Sequence, residues 1–159
     1  MHGLTAQPLP RMKQHIDDLN ESEASWVRTQ LRNASKFVEG FSPQDANKPL
    51  TLAALDRAFA TWIASGPSDA DLVNTIINCV GIAFGQAVVD GLGFRWIIAT
   101  DELGSELAVY GLPARGDVLV YPANFVAKRW ERRETDFLAT AYEQIARDVR
   151  SLFREWRGS

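Results

Sequence analysis

Apolar residues recur at helical spacing through the first half of the chain and change to simple alternation near residue 94. From Glu21 to Glu39, Ala24, Val27, Leu31, Ala34 and Val38 return every three or four residues, with Trp26 and Phe37 widening the stripe. That period predicts a helix with one buried face. Asn20 or Ser22 can cap it, Gly40 should end it, and Ser42-Pro43 opens a polar loop running to Pro49. Leu52, Leu55, Ala58, Phe59, Trp62 and Ile63 make one face of a second helix that stops at Gly66-Pro67. The two helices read as an antiparallel pair. Ser68 with Asp71 resembles a capping box and opens a third, more apolar helix, in which Val73, Ile76, Ile77, Val80, Ala83, Phe84, Ala87 and Val88 point inward. Gly81 and Gly85 lie inside this helix, where each costs about 1 kcal/mol relative to alanine. Close approach of a neighbouring helix or sheet to a bare stretch of backbone is the plain compensation.

The period then changes. Phe94, Trp96 and Ile98 alternate with Arg95, Ile97 and Ala99, which predicts a strand to about Thr100. Asp101-Glu102-Leu103-Gly104 supplies a tight turn into a second strand, Ser105 to Tyr110, and a third, Asp117 to Tyr121, follows the loop from Gly111 to Gly116. Connections this short give an antiparallel meander. Pro122 ends the sheet, Asn124 is placed to cap a helix carrying Phe125, Val126 and Trp130, and the chain bends near Arg133 to Thr135. A last helix carries Phe137, Leu138, Ala141, Tyr142, Ile145, Val149, Leu152, Phe153 and Trp156 on one stripe. The expected fold is α+β, a three-stranded antiparallel meander packed with about five helices in the order α-α-α-β-β-β-α-α. Residues 1–12, with Gly3, Pro8 and Pro10, read as a flexible tail, and 13–159 as a single domain.

Both faces of the meander are apolar. Phe94, Trp96, Ile98, Leu107, Val109, Val118 and Val120 share one, and Ile97, Ala99, Ala108, Tyr110, Leu119 and Tyr121 the other. So much apolar surface needs a cover. Helices on both sides would supply it from within. Helices gathered on one side would leave Ile97, Tyr110, Leu119 and Tyr121 as an interface for another molecule.

Composition narrows the chemistry. At 159 residues, 46% hydrophobic and 23% charged, the chain has the make-up of an ordinary globular domain. Its net charge is −3 with basic and acidic residues interspersed, so binding to a nucleic-acid backbone is not expected. The longest unbroken apolar run, Cys79 to Gly85, is too short to span a bilayer, and no basic stretch followed by an apolar run marks a leader. The cytoplasm is the expected compartment. Cys79 lies within an apolar helical pattern, as a buried small side chain does. The only histidines, His2 and His15, lie in or beside the tail, so neither a transition-metal site nor a catalytic triad is expected, and no cofactor is implied. Asp17-Asp18 and Asp69 with Asp71 read as carboxylates offsetting helix dipoles. Arg95, Lys128, Arg129, Arg132 and Arg133 could draw together if the helix after the sheet folds back over it, with Asp101 or Glu102 as partner or an anionic ligand between them. The competing account is an ion-pair network with Glu131 and Glu134 on a solvated face.

The run Phe94-Arg95-Trp96, Asp101-Glu102-x-Gly104, Ala108-Val109, Val120-Tyr121-Pro122 and Val126-x-Lys128-Arg129-Trp130-Glu131, preceded by Gly81-x-x-x-Gly85, resembles a family of mainly bacterial domains of unknown function. The resemblance covers roughly residues 70–135 and implies a small bacterial α+β module with Gly81, Gly85, Trp96, Asp101, Gly104, Pro122, Lys128 and Arg129 as signature positions. No catalytic residue comes with it. Two functional readings follow. The first is a non-catalytic module that binds a protein partner or itself through Ile97, Tyr110, Leu119 and Tyr121. The second is a small anionic-ligand site, or an enzyme, built from Arg95, Asp101, Glu102, Lys128 and Arg129.

Overall fold

The computed structural model describes residues 7–8 and 15–158. Ten elements of regular structure form there besides one 3₁₀ turn: β1 (Gln7–Pro8), β2 (His15–Asp18), α1 (Glu21–Phe41), α2 (Leu52–Ala64), α3 (Ala70–Leu92), β3 (Arg95–Asp101), β4 (Gly104–Gly111), β5 (Val118–Val120), α4 (Pro122–Glu131) and α5 (Leu138–Gly158). The fold is α+β and mostly helical, and the meander is β3-β4-β5. Two further strands, absent from the alternation pattern, extend it to the order β1-β5-β4-β3-β2, antiparallel throughout. They escaped notice because two and four residues are too few for a period to show. Of the expected tail, Gln7 and Pro8 pair with Leu119 and Val118, and the rest of residues 1–12 lies outside the described residues.

Several boundaries differ from the sequence pattern for local reasons. The capping box belongs to α1, where the Asn20 side chain accepts from the Glu23 N–H and Glu23 accepts from the Asn20 N–H, both at 2.8 Å. At α3 the cap is Asp69 rather than Ser68, because Oδ1 of Asp69 reaches the N–H groups of both Asp71 and Leu72. Helix α4 starts at Pro122, not after Asn124, since proline is preorganised for the first helical turn and has no N–H to leave unpaired. Asp17 and Asp18 stand in a strand rather than at a helix start.

All five helices pack on one face of the sheet. Their core is threaded by aromatic rings in contact from element to element: Phe37 with Trp62, Trp62 with Phe59, Phe59 with Phe137, Phe137 with Phe125 and Phe125 with Phe84, at centroid separations of 5.1–6.1 Å. Val109, Val118, Val120 and Trp96 bring the sheet into this core. By length and composition α3 is apolar enough to cross a bilayer, which the short run from Cys79 to Gly85 did not suggest. In the fold it is the central helix, with Val73, Ile77, Val80, Ile82, Phe84 and Val88 buried.

Candidate functional site

The signature glycines turn out to be points of contact. A Cβ added to Gly81 would stand 2.7 Å from the Cα of Ala123, and one added to Gly85 would stand 2.4 Å from the Trp96 ring and 3.0 Å from Pro122. Thus α4 and the first long strand both press on α3 where it lacks side chains. Gly104 has a φ of 135°, a conformation that strains any side-chain-bearing residue. It closes the β3–β4 turn, in which Oδ1 of Asp101 accepts from the Leu103 N–H at 2.8 Å.

The expected cationic cluster is divided between two sides of the sheet. Trp96 points into the helical layer, so its neighbour Arg95 points away from it, donating to Asp18 on β2 and lying 5.4 Å over the Tyr110 ring. Lys128 and Arg129 ride on α4, which packs against α3 within the helical layer. There they occupy the last helical turn, where positive charge offsets the macrodipole. Arg129 sits 4.6 Å over Phe125 and 3.4 Å from Glu134, and Arg133 donates to the Trp130 carbonyl while covering its ring. Asp101 and Glu102 stand at the hairpin tip. These contacts serve a helix end and its turn, on the opposite side of the sheet from Arg95.

The second sheet face forms a cluster of its own. Ile97, Ala99, Ala108, Tyr110 and Leu119 are its buried members, with Ile16 of β2 and Tyr121 at the margin. No helical side chain joins it among the described residues. Even so, three of the four expected interface residues are withdrawn from solvent, Ile97 at 0%, Leu119 at 2% and Tyr110 at 8% exposure, and Tyr121 is half-buried. The Tyr110 hydroxyl donates to Asp117 at 2.7 Å, and its pKa is pushed up to about 12, first by burial and then by that carboxylate.

What does project is the β3–β4 hairpin. Asp101 to Glu106 are all exposed, and Leu103 at the turn is 97% exposed, the most open large apolar side chain among the described residues. Across the hairpin, the Glu106 carboxyl has its pKa raised by partial loss of its water shell, although the residue as a whole is exposed, and by the charge of Asp101. The tip is therefore one exposed leucine flanked by acidic residues. Sequence reasoning read this stretch as a turn whose Asp101 and Glu102 could also serve an anionic-ligand site; for Leu103 the available signal was an apolar residue inside a turn otherwise made of Asp, Glu and Gly.

Groups suited to catalysis are accounted for elsewhere. Burial pushes the Cys79 thiol up to about 12, so it is an inert core residue. His15 lies exposed beside Asp17 at 3.2 Å, and His2 falls outside the described residues. Among the described residues no three His, Cys, Asp or Glu side chains gather where a metal ion could be held.

Compared with known families, the chain matches Domain of unknown function (DUF3806) over residues 62–142, which is half its length. The chain belongs to this family. The matched region runs from the end of α2 to the start of α5 and contains the whole β3-β4-β5 meander together with α3 and α4. No curated protein and no solved structure matches the chain. Within the family region, Gly81, Gly85, Trp96 and Pro122 meet at one junction of α3, α4 and β3. Four of the signature positions thus hold the fold together.

Proposed function

We propose that this DUF3806 chain is a non-catalytic protein-interaction module of the bacterial cytoplasm, and that the β3–β4 hairpin meets the partner. The observation that carries this reading is Leu103, 97% exposed at the turn of a paired two-strand hairpin and flanked in sequence by Asp101, Glu102 and Glu106. A single exposed leucine is ordinary. One held at the apex of a paired hairpin, with no core function of its own, suits insertion into a pocket. The matching partner surface is an apolar pocket rimmed by lysine or arginine, since like charge would be repelled and opposite charge speeds and orients the encounter. The buried state of Ile97, Leu119 and Tyr110 favours the hairpin over the sheet face as the contact.

The test uses wild type and Leu103→Arg as matched baits, followed by titration of each purified bait with the partner recovered. Burying a leucine contributes about 1.5–3 kcal/mol, so the variant should bind at least about tenfold more weakly while keeping its unfolding midpoint. Equal affinity for both baits overturns the hairpin assignment.

A further inference from the structure

A groove opens between α1, the start of α2 and α3, and it is separate from the hairpin. It has a volume of about 250 Å³, with Leu31, Leu55, Ala83 and Ala87 along its apolar wall. Polar groups stand at its rim, chiefly Gln86 and Asp90. Their arrangement is fixed from beneath. The indole N–H of Trp96 donates to Gln86 Oε1 at 2.9 Å, and because that indole is only ever a donor, the Gln86 amide must turn its nitrogen the other way. That nitrogen donates to Asp90 Oδ1, again at 2.9 Å. One carboxylate oxygen of Asp90 is thereby held by a preorganised amide. The other has no partner among the described residues, and no lysine or arginine lines the groove.

We infer that this groove binds a small primary alkylammonium, with its ammonium on Asp90 and its alkyl body along Leu31, Leu55, Ala83 and Ala87. Size points to a fragment, because the volume falls just under the range of about 300–1,000 Å³ typical of drug-sized ligand sites. Charge decides between cation and anion. Asp90 carries a full negative charge, whereas the start of α2 at Thr51 presents a positive end of only about half a charge, and the Thr51 side chain already accepts from the Ala54 N–H there. The Gln86 amide, itself held by Trp96, gives the exposed Asp90 carboxylate one fixed partner at the rim, which reduces the ordering required on binding. Two walls of the groove come from α1 and from residues 50–55 around the start of α2, outside residues 62–142, while Ala83, Gln86, Ala87 and Asp90 lie within them.

Pentylammonium, pentanol and pentanoate, each titrated into ¹⁵N-labelled protein, provide the test. Pentylammonium should shift the amides of Ala83, Ala87 and Asp90 saturably, bind at least about tenfold more tightly than pentanoate, and weaken as salt is raised. In Asp90→Asn, which retains an acceptor for Gln86, its affinity should fall to that of pentanol. Ala87→Leu, which fills the groove, should abolish binding by all three. Equal ammonium affinity in wild type and Asp90→Asn would overturn the inference, as would a preference for pentanoate or no saturable shift at millimolar ligand.

Discussion

Gly81 and Gly40 show how the same residue type carries different weight at different positions. Both lie in helices, but a Cβ at Gly81 would meet backbone of α4 at 2.7 Å, whereas one at Gly40 has nothing within 4 Å. Overpacking against backbone falls toward the upper part of about 1–3 kcal/mol, more than the ~1 kcal/mol of helix propensity that alanine restores. Gly81→Ala should therefore lower stability by about 1–2 kcal/mol in denaturant unfolding, and Gly40→Ala should raise it by up to about 1 kcal/mol. A destabilised Gly40→Ala or a stabilised Gly81→Ala would break this account. The sequence exposed the cost of Gly81 and Gly85 and hence the need for close contact. It could not reveal that Trp96 and Ala123 are what they touch, because nothing local encodes which distant surface arrives.

Among the elements, helix ends divide into those stabilised by near neighbours and those stabilised from afar. Asn20 and Glu23 are three residues apart, and Asn20 was legible as a cap although the box itself was expected at Ser68 and Asp71. Helix α5 is different: its first N–H groups, at Leu138 and Ala139, donate to the buried side chain of Asp56 on α2 at 2.9 and 3.1 Å. No sequence window contains both partners. Burial nevertheless raises the Asp56 pKa against those hydrogen bonds, so its contribution is greatest below the ordinary 3.8 and diminishes as pH climbs through the raised value. Asp45 has the opposite sign. Arg57 grips it through two hydrogen bonds, Ser42 adds a third, and its pKa falls from 3.8 to about 2. The stabilisation it gives to the α1–α2 connection is present above pH 3.8 and disappears as pH falls toward 2. In Asp45→Asn, the stability measured between pH 4 and pH 2 should vary less steeply than in wild type. An unchanged acid slope would show that the Arg57 grip plays no part.

For the molecule as a whole, alternation in residues 94–121 separated the two faces of the sheet: Phe94, Trp96, Val109, Val118 and Val120 joined the helical core and the second set made a cluster of its own, while Ile98 and Leu107, half-buried, joined neither. Which face took the helices was not legible, because both sets are equally apolar. Arg95 parted from the α4 cations for the same kind of reason: Arg95 and Trp96 are adjacent in sequence, and adjacency in a strand places them on opposite faces. Lys128 and Arg129 went with the side of Trp96. The hairpin tip was visible as a turn, while its standing clear of the body is a property of the folded shape alone.

Amide mapping of the partner complex tests most directly where this module makes contact. With ¹⁵N-labelled protein and the partner recovered by wild-type bait, the largest shifts should fall on residues 101–106, and those of Ile97, Leu119, Lys128 and Arg129 should stay near their free positions. Shifts centred on the sheet face or on the end of α4, with residues 101–106 unmoved, would contradict it.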